Sequence, residues 1–308
     1  MYHDSKSDEA AEKFDEQAIA LFRKSGKIAA EMLDFGKTFI KKGARPLDVL
    51  DKIEDKIKKA GAQCAFPPQI SLNDTAAHNC PDVGDTTVFD DDVVKLDVGV
   101  HVDGYVSDNA VTIDLSGKYS TLLKANKEAL DAALKLAVPG TSIGNIGKTV
   151  QEIIQSYGFS PVKNLSGHGI GRYKIHTLPS IPNIATDDKA VLKAGMALAI
   201  EPFASTGSGV VYESGEAGVF MLEHRKPVRD LITRNVLKHI EQYKGLPFAR
   251  KWLTQEFGAG KTNFALRQLI QIGSIHTFPP LVDSKHGIIS QMEKSVIVAE
   301  KPIIITQI

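Results

Sequence analysis

The stretch Lys95-Leu96-Asp97-Val98-Gly99-Val100-His101-Val102-Asp103-Gly104-Tyr105-Val106-Ser107-Asp108 decides how this chain folds. An Asp-Gly pair between alternating apolar residues is the strongest short-range hairpin signal, because both central residues of the favoured two-residue turn need a positive φ. With Asp103-Gly104 as that loop, Val94 faces Ile113 and Leu96 faces Val111, while Val98, Val100 and Val102 extend the same apolar face. Asp97 falls on the other face, opposite Ala110, so Asp108 is its diagonal neighbour at roughly 7–8 Å. Two carboxylates held that close repel unless something positive lies between them, and a divalent metal is the natural candidate. For an isolated pair of acids, a solvated polar sheet face is the competing interpretation.

The chain around this hairpin is ordinary in composition. Its 308 residues, 43% hydrophobic and 24% charged, suit a soluble globular protein with a large core, either one big domain or a domain with an insertion. A formal charge of zero gives the whole molecule no case for nucleic-acid or membrane binding. No apolar run approaches the length of a membrane span, and Met1-Tyr2-His3-Asp4-Ser5-Lys6 does not read as a signal peptide. Cys64 and Cys80 lack CxxC spacing, which suggests reduced thiols and a cytoplasmic setting.

The hairpin lies inside an internal repeat. Gly43-Ala44-Arg45-Pro46-Leu47-Asp48 leads into a helix with Ile53 and Ile57 that stops at Gly61, and Gly140-Thr141-Ser142-Ile143-Gly144-Asn145 leads into one with Val150 and Ile154 that stops at Gly158. Asp48 and Asn145 are the expected caps. Another helix pattern precedes each, over roughly residues 8–42 and 119–138. His78 corresponds within one residue to His176, and Val93–Asp97 resembles Ala197–Glu201, each an apolar run ending in a carboxylate. Two such units facing one another would bring Asp97 to Glu201 and His78 to His176 about a pseudo-twofold axis.

Further side chains complete a constellation. Gly167-His168-Gly169 surrounds an imidazole with glycines, which lets the backbone approach whatever it touches. Glu201 closes an apolar run before Pro202, and Glu293 enters another in Glu293-Lys294-Ser295-Val296-Ile297. An ionised carboxylate at the end of a buried strand needs a partner. Four carboxylates and one imidazole suit hard or borderline divalent ions, and this many acids suits two.

These residues carry a resemblance to the methionine aminopeptidases, of the type II class found in archaea and eukaryotes. The matching segments are Leu96-Asp97 with His101-Val102-Asp103-Gly104 and Asp108, then Asn164-Leu165-Ser166-Gly167-His168-Gly169-Ile170-Gly171, then Ala199-Ile200-Glu201-Pro202-Phe203, and Glu293. The resemblance implies the pita-bread fold, an α/β architecture with a curved antiparallel sheet backed by helices. It implies two divalent ions drawn from cobalt, manganese, iron or zinc, one held by Asp97, the other by His168 and Glu201, with Asp108 and Glu293 bridging. By the same comparison His78 and His176 contact substrate near the scissile bond, and Phe66, Leu165 and Ile175 line the methionine pocket. The implied reaction removes the N-terminal methionine of nascent polypeptides, preferring a small second residue, by attack of a hydroxide bridging both metals on the peptide carbonyl. Glu201 would shuttle the proton, His176 would donate to the oxyanion and His78 would hold the following peptide nitrogen. His101 is expected in a supporting or surface role, and His224, His239, His276 and His286 in none beyond packing.

The interval between Glu201 and Glu293 is longer than in type I enzymes. It divides the chain into a catalytic domain, residues 1–221 and 277–308, and a helical insertion, residues 222–276, that resembles a winged helix. Leu231, Val236, Leu237 and Ile240 are expected on one buried face, and Phe264, Leu266, Leu269 and Ile270 on another. Residues 224–276 hold ten Lys/Arg against three Asp/Glu, so the ribosome enters as a candidate partner through its RNA. The resemblance favours a monomer, with no membrane and no sequence-specific nucleic acid among its partners. A long N-terminal extension and a zinc-finger segment, present in some relatives, are not discernible. Two other functions share the fold: a prolidase or aminopeptidase P, which usually carries an added N-terminal domain, and a non-catalytic binding protein, which typically loses metal ligands.

Overall fold

The computed structural model describes residues 14–308. The hairpin forms with the expected register: Val94 pairs with Ile113, Leu96 with Val111, Asp97 with Ala110 and Gly99 with Asp108. Its turn places Asp103 at φ +49° and Gly104 at φ +87°, the positive values that a primed turn demands.

Each half of the repeat is a pair of helices laid on a sheet. In the first, helices α1 (Glu16–Lys37) and α2 (Pro46–Lys59) cover a four-stranded sheet built on Val93–Val102, with Tyr105–Asp114, Gln69–Leu72 and Gln63–Cys64 beside it. The part of the first helix pattern before residue 14 lies outside the described residues. In the second, helices α3 (Ser120–Lys135) and α4 (Ile143–Ser156) cover a five-stranded sheet in the order 303–304, 294–297, 197–200, 166–171, 174–182. Val94, Leu96, Val98 and Val100 bury against Met32, Leu33, Leu50 and Ile53. Leu198, Ile200 and Val296 bury against Leu130, Ile146 and Val150. Because strand side chains alternate, the residues between these apolar ones point away from the helices, and there the two sheets meet.

The helix ends correct the capping expectation. Asp48 and Asn145 lie inside the first turns instead of at the caps. Pro46 fixes the start of α2 after Arg45, whose side chain caps nothing and instead pairs with Asp48 at 2.5 Å. Ser142 caps α4 by accepting from the Asn145 N–H. Both helices stop before a glycine in the left-handed region, Gly61 at +71° and Gly158 at +81°.

Between the last strands of the second half, Val219–Leu222 pairs with Phe248–Ala249 and Ile275–Phe278, and helices α5 (Leu231–Ile240), α6 (Arg250–Phe257) and α7 (Ala259–Gln271) accompany them. This segment has its own core, including Val236, Leu237, Ile240, Leu253, Leu266 and Leu269. Leu231, Phe264 and Ile270 are exposed instead of buried, and Thr233 and Ala265 take the inward positions. The buried stripe of each helix is rotated from the expected one because α5 and α7 pack against each other, with α6 and Ile275–Phe278 also against α7. Lys251 on α6 is fully buried and bolts the segment to α2, with Nζ 2.8 Å from both Asp51 Oδ1 and Glu54 Oε1. Among the described residues no helix is long and apolar enough to cross a membrane.

Candidate metal centre

Where the two sheets meet, all five expected ligand residues converge. The Glu293 N–H donates to the Ala110 carbonyl at 3.0 Å, which sets the approach to Lys294–Ile297 alongside the second strand of the hairpin. Asp108, His168 and Glu293, all buried, then offer ligand atoms that lie within 4.8 Å of one another. His168 Nε2 is 3.7 Å from Asp108 Oδ2 and 3.5 Å from Glu201 Oε1. Asp97 joins them beside Asp108 and is held by Gln291, whose Nε2 donates to Asp97 Oδ2 at 3.3 Å. Asp108, His168 and Glu293 form the tight centre, with Asp97 and Glu201 at its shoulders.

The electrostatics of this cluster call for a cation. Burial pushes the Asp97 carboxyl up to about 7, with hydrogen bonds from Gln291 and Asp108 offsetting part of the rise. Burial followed by the charges of Asp97 and Glu201 holds Asp108 well above the usual carboxylate range. Glu293 is raised by burial and then by Asp108, Glu201 and Asp97, and Glu201 by burial and then by Asp97. Asp97 Oδ1, Asp108 Oδ1 and Glu293 Oε1 are buried without a hydrogen-bond donor. Orphaned carboxylate oxygens aimed at one region are costly unless a positive charge fills it, and oxygen-rich donor sets suit hard or borderline divalent ions. The residues therefore fit a divalent metal.

The imidazole is prepared for the same task. Burial depresses the His168 pKa to about 4, so the ring is neutral near pH 7. Its Nδ1 lies 3.2 Å from the Gly169 carbonyl, which assigns the proton to Nδ1 and leaves the Nε2 lone pair facing Asp108 and Glu201. The flanking glycines act through strand packing: a Cβ on Gly167 would meet the Ala199 carbonyl at 2.4 Å, and one on Gly169 the Leu178 carbonyl at 2.4 Å. They let neighbouring strands close onto His168, whereas the sequence suggested approach to a ligand.

His78 and His176 both contact the Phe278 ring, with centroids 5.3 and 6.0 Å from it, and His176 lies 4.7 Å from the His168 ring. His78 is held at φ +66°, an uncommon conformation for a non-glycine residue, with its N–H donating to Gln69 Oε1 at 2.8 Å. Burial lowers the His78 pKa to about 4, and burial followed by the charge of His168 holds that of His176 well below the usual histidine range. Both rings are therefore neutral donor–acceptors at the edge of the acid cluster. Phe66 and Ile175 share one apolar cluster, whereas Leu165 packs in another with Val162 and Phe203 and does not join them.

Several residues were not anticipated. His101, expected in a supporting or surface role, is buried at 5% exposure, which sets the surface alternative aside. His276 packs on Phe278 at 4.7 Å between ring centroids, beside both substrate-contact candidates. Gln291 and Ser295 share the inward parity of Glu293, and that alternation is the sequence signal that would have found them. Phe278 had no comparable local signal.

A sequence profile of metallopeptidase family M24 matches residues 20–226. The chain is 43% identical over 286 residues to the methionine aminopeptidase of Thermococcus onnurineus, covering 92% of this chain and 97% of that one. Among solved structures it is similar to the methionine aminopeptidase of Thermotoga maritima, with a TM-score of 0.73, 23% identity and coverage of 97% and 100%. It also resembles a thermophilic Arx1, with a TM-score of 0.85, 14% identity and coverage of 95% and 91%. At those identities the structural likeness speaks for the fold, the pita-bread arrangement of helix-backed sheets.

Proposed function

Because this chain belongs to metallopeptidase family M24, we propose that it is a methionyl aminopeptidase that removes the first residue of proteins with a small second residue. The observation that carries this reading is the convergence of Asp108, His168 and Glu293 within 4.8 Å, with Asp97 and Glu201 at the shoulders. Asp97 would hold one divalent ion, His168 and Glu201 the other, and Asp108 and Glu293 would bridge them. When bound, the two ions supply carbonyl polarisation and a water that is nucleophilic at neutral pH.

The chain's own groups do the rest. His176, neutral and beside His168, donates a hydrogen bond to the oxygen of the attacked carbonyl as negative charge develops there. His78 holds the peptide nitrogen of the second residue, its backbone fixed by Gln69. Glu201 accepts a proton from the attacking water and passes it to the leaving amine, a task suited to a carboxyl whose pKa is raised by burial. Phe66 and Ile175 enclose the methionine side chain, and the surrounding apolar cluster excludes water from it.

The catalytic body comprises residues 1–221 and 277–308, with residues 222–276 as an insertion. The substrates are N-termini of nascent polypeptides, the setting is the cytoplasm, and the protein acts as a monomer. The basic surplus of the insertion supports an encounter with ribosomal RNA.

The test is release of methionine from Met-Ala and Met-Pro peptides by protein reconstituted with manganese, cobalt, iron or zinc, beside the metal-free protein. Hydrolysis of Xaa-Pro peptides but not Met-Ala would transfer the assignment to a proline-specific peptidase. No hydrolysis with any of these metals would end the peptidase reading.

A further inference from the structure

Along the inner face of Val93–Val102, Asp97, Gly99 and His101 follow one another at two-residue spacing. Asp97 belongs to the metal centre, Gly99 carries the Phe66 ring, and His101 lies beyond both. His101 lines a cavity of about 200 Å³ together with Gly61, Gln63, Asp103 and Tyr173. Nothing in the proposed reaction uses this cavity.

Three side chains in or against its wall can donate to a guest. His101 Nδ1 accepts from the Gly104 N–H at 3.1 Å, which assigns the ring proton to Nε2. No hydrogen bond to Nε2 is formed among the described residues. Burial, followed by the positive charge of Lys244, holds the His101 pKa down to about 4, so the ring is a neutral donor. The Tyr173 ring stands edge-on to His101 at 5.5 Å. Its hydroxyl accepts from Lys244 Nζ at 2.9 Å, and that ammonium lies 4.4 Å from the ring centroid. An oxygen that accepts from Lys244 has its own proton free to donate elsewhere. Lys244 is fixed there by the insertion, at φ +52° after a short turn over Glu241–Tyr243. The one acid lining the cavity, Asp103, is already neutralised by Arg172, which donates to its carboxylate at 2.9 Å and to its carbonyl at 3.0 Å. The wall thus carries two side chains with a proton left to donate, His101 and Tyr173, and the Lys244 ammonium lies against the second of them.

We propose that this cavity binds a small oxyanion of the phosphate or carboxylate class, held by His101 Nε2–H, the Tyr173 hydroxyl and the Lys244 ammonium. Such a ligand matches the donor excess, and the ammonium supplies the charge-assisted bond that gives an anion site its affinity. The inference stands on this geometry alone and does not depend on the peptidase reading.

The zinc-loaded full chain, with histidine rings isotopically labelled, is titrated with sodium phosphate and separately with sodium acetate while ring resonances are followed by NMR. His101→Gln identifies the His101 signals. The expected result is a saturable shift of His101 with at least one anion, and the tighter of the two identifies the ligand class. Lys244→Met should weaken that binding by about tenfold or more, as expected for losing a hydrogen bond to a charged group. A shift confined to His78, His168 and His176 would place the anion at the metal centre and overturn the proposal. So would a linear drift shared by all histidines, or equal affinity in Lys244→Met.

Discussion

The hydroxyl of Ser295 makes a two-way contact with the backbone of Asp108: its Oγ accepts from the Asp108 N–H at 2.8 Å and donates to the Asp108 carbonyl at 2.8 Å. One side chain from the second half of the repeat thereby satisfies both peptide groups of a metal-ligand candidate in the first half. Ser295 lies two residues after Glu293, so one short strand positions both carboxylates proposed to bridge the metals. Ser295→Ala leaves a buried donor and acceptor unpaired, which should cost about 2–4 kcal/mol of stability. Metal affinity should fall by about tenfold or more, while Ser295→Thr retains it. Calorimetric metal titration of the three proteins decides the matter, and unchanged affinity in the alanine variant would remove the positioning role.

The pH dependence of the metal-free protein follows from groups shifted in opposite directions. His78, His168 and His176 have lowered pKa values, so the unfolded chain binds more protons than the folded one from about 4 to about 6.5, and they make stability rise with pH there. Asp97, raised to about 7, and Asp108, Glu201 and Glu293, raised well above normal, do the reverse: the folded state holds the extra protons, and stability falls as pH rises. Above about pH 6.5 the histidine contribution is exhausted, and the four raised carboxylates outweigh Lys95, whose pKa burial lowers to about 7 and whose opposing contribution begins only near that value. The melting temperature of chelator-treated protein should therefore fall between about pH 6.5 and 8, whereas metal-loaded protein should hold or gain stability because deprotonated ligands bind metal better. Parallel melting curves with and without metal would refute a shared carboxylate centre.

Lys251 is the buried cation of an ion triad between the insertion and α2, with Glu54 largely buried and Asp51 half-exposed. Burial raises Glu54, and the Lys251 charge offsets part of that rise. Lys251→Met would strand the Glu54 carboxylate and should cost about 3 kcal/mol, measured by urea unfolding. In Lys251→Met/Glu54→Leu much of that loss should be recovered. A double variant as unstable as the single would show that the lysine acts through packing alone.

A Cβ on Gly99 would lie 2.0 Å from the Phe66 ring. Gly99→Ala must therefore push Phe66 out of its seat, toward Ile175 and the space proposed for the methionine side chain. Overpacking of this kind costs about 1–3 kcal/mol, and KM for Met-Ala peptides should rise by about tenfold with metal content unchanged. A normal KM would exclude Phe66 from that pocket.

Much of this architecture was legible before the coordinates. The Asp103-Gly104 turn dictated register through residue parity, so the diagonal placement of Asp97 and Asp108 followed from local rules. The repeat places His78 and His176 near one another, and in the structure both contact Phe278, which the repeat does not indicate. Helix caps were misplaced because Asp48 and Asn145 look like caps only until Pro46 and Ser142 are seen to hold those positions. Leu231, Phe264 and Ile270 are exposed, against expectation, because several helical stripes are apolar enough to bury and the packing of α5 against α7 selects among them.

The amino-acid order by itself determined which side chains share a strand face, since alternation is a property of the extended backbone. It also determined which residue types were available to hold a cation. Only the tertiary structure decided that the inward faces of two separate sheets abut, that Gln291 and Ser295 orient the carboxylates, and that His101 lines a cavity with Tyr173, against which Lys244 packs. Those relationships join residues as much as 194 positions apart. They arise from packing between elements, which no local periodicity encodes.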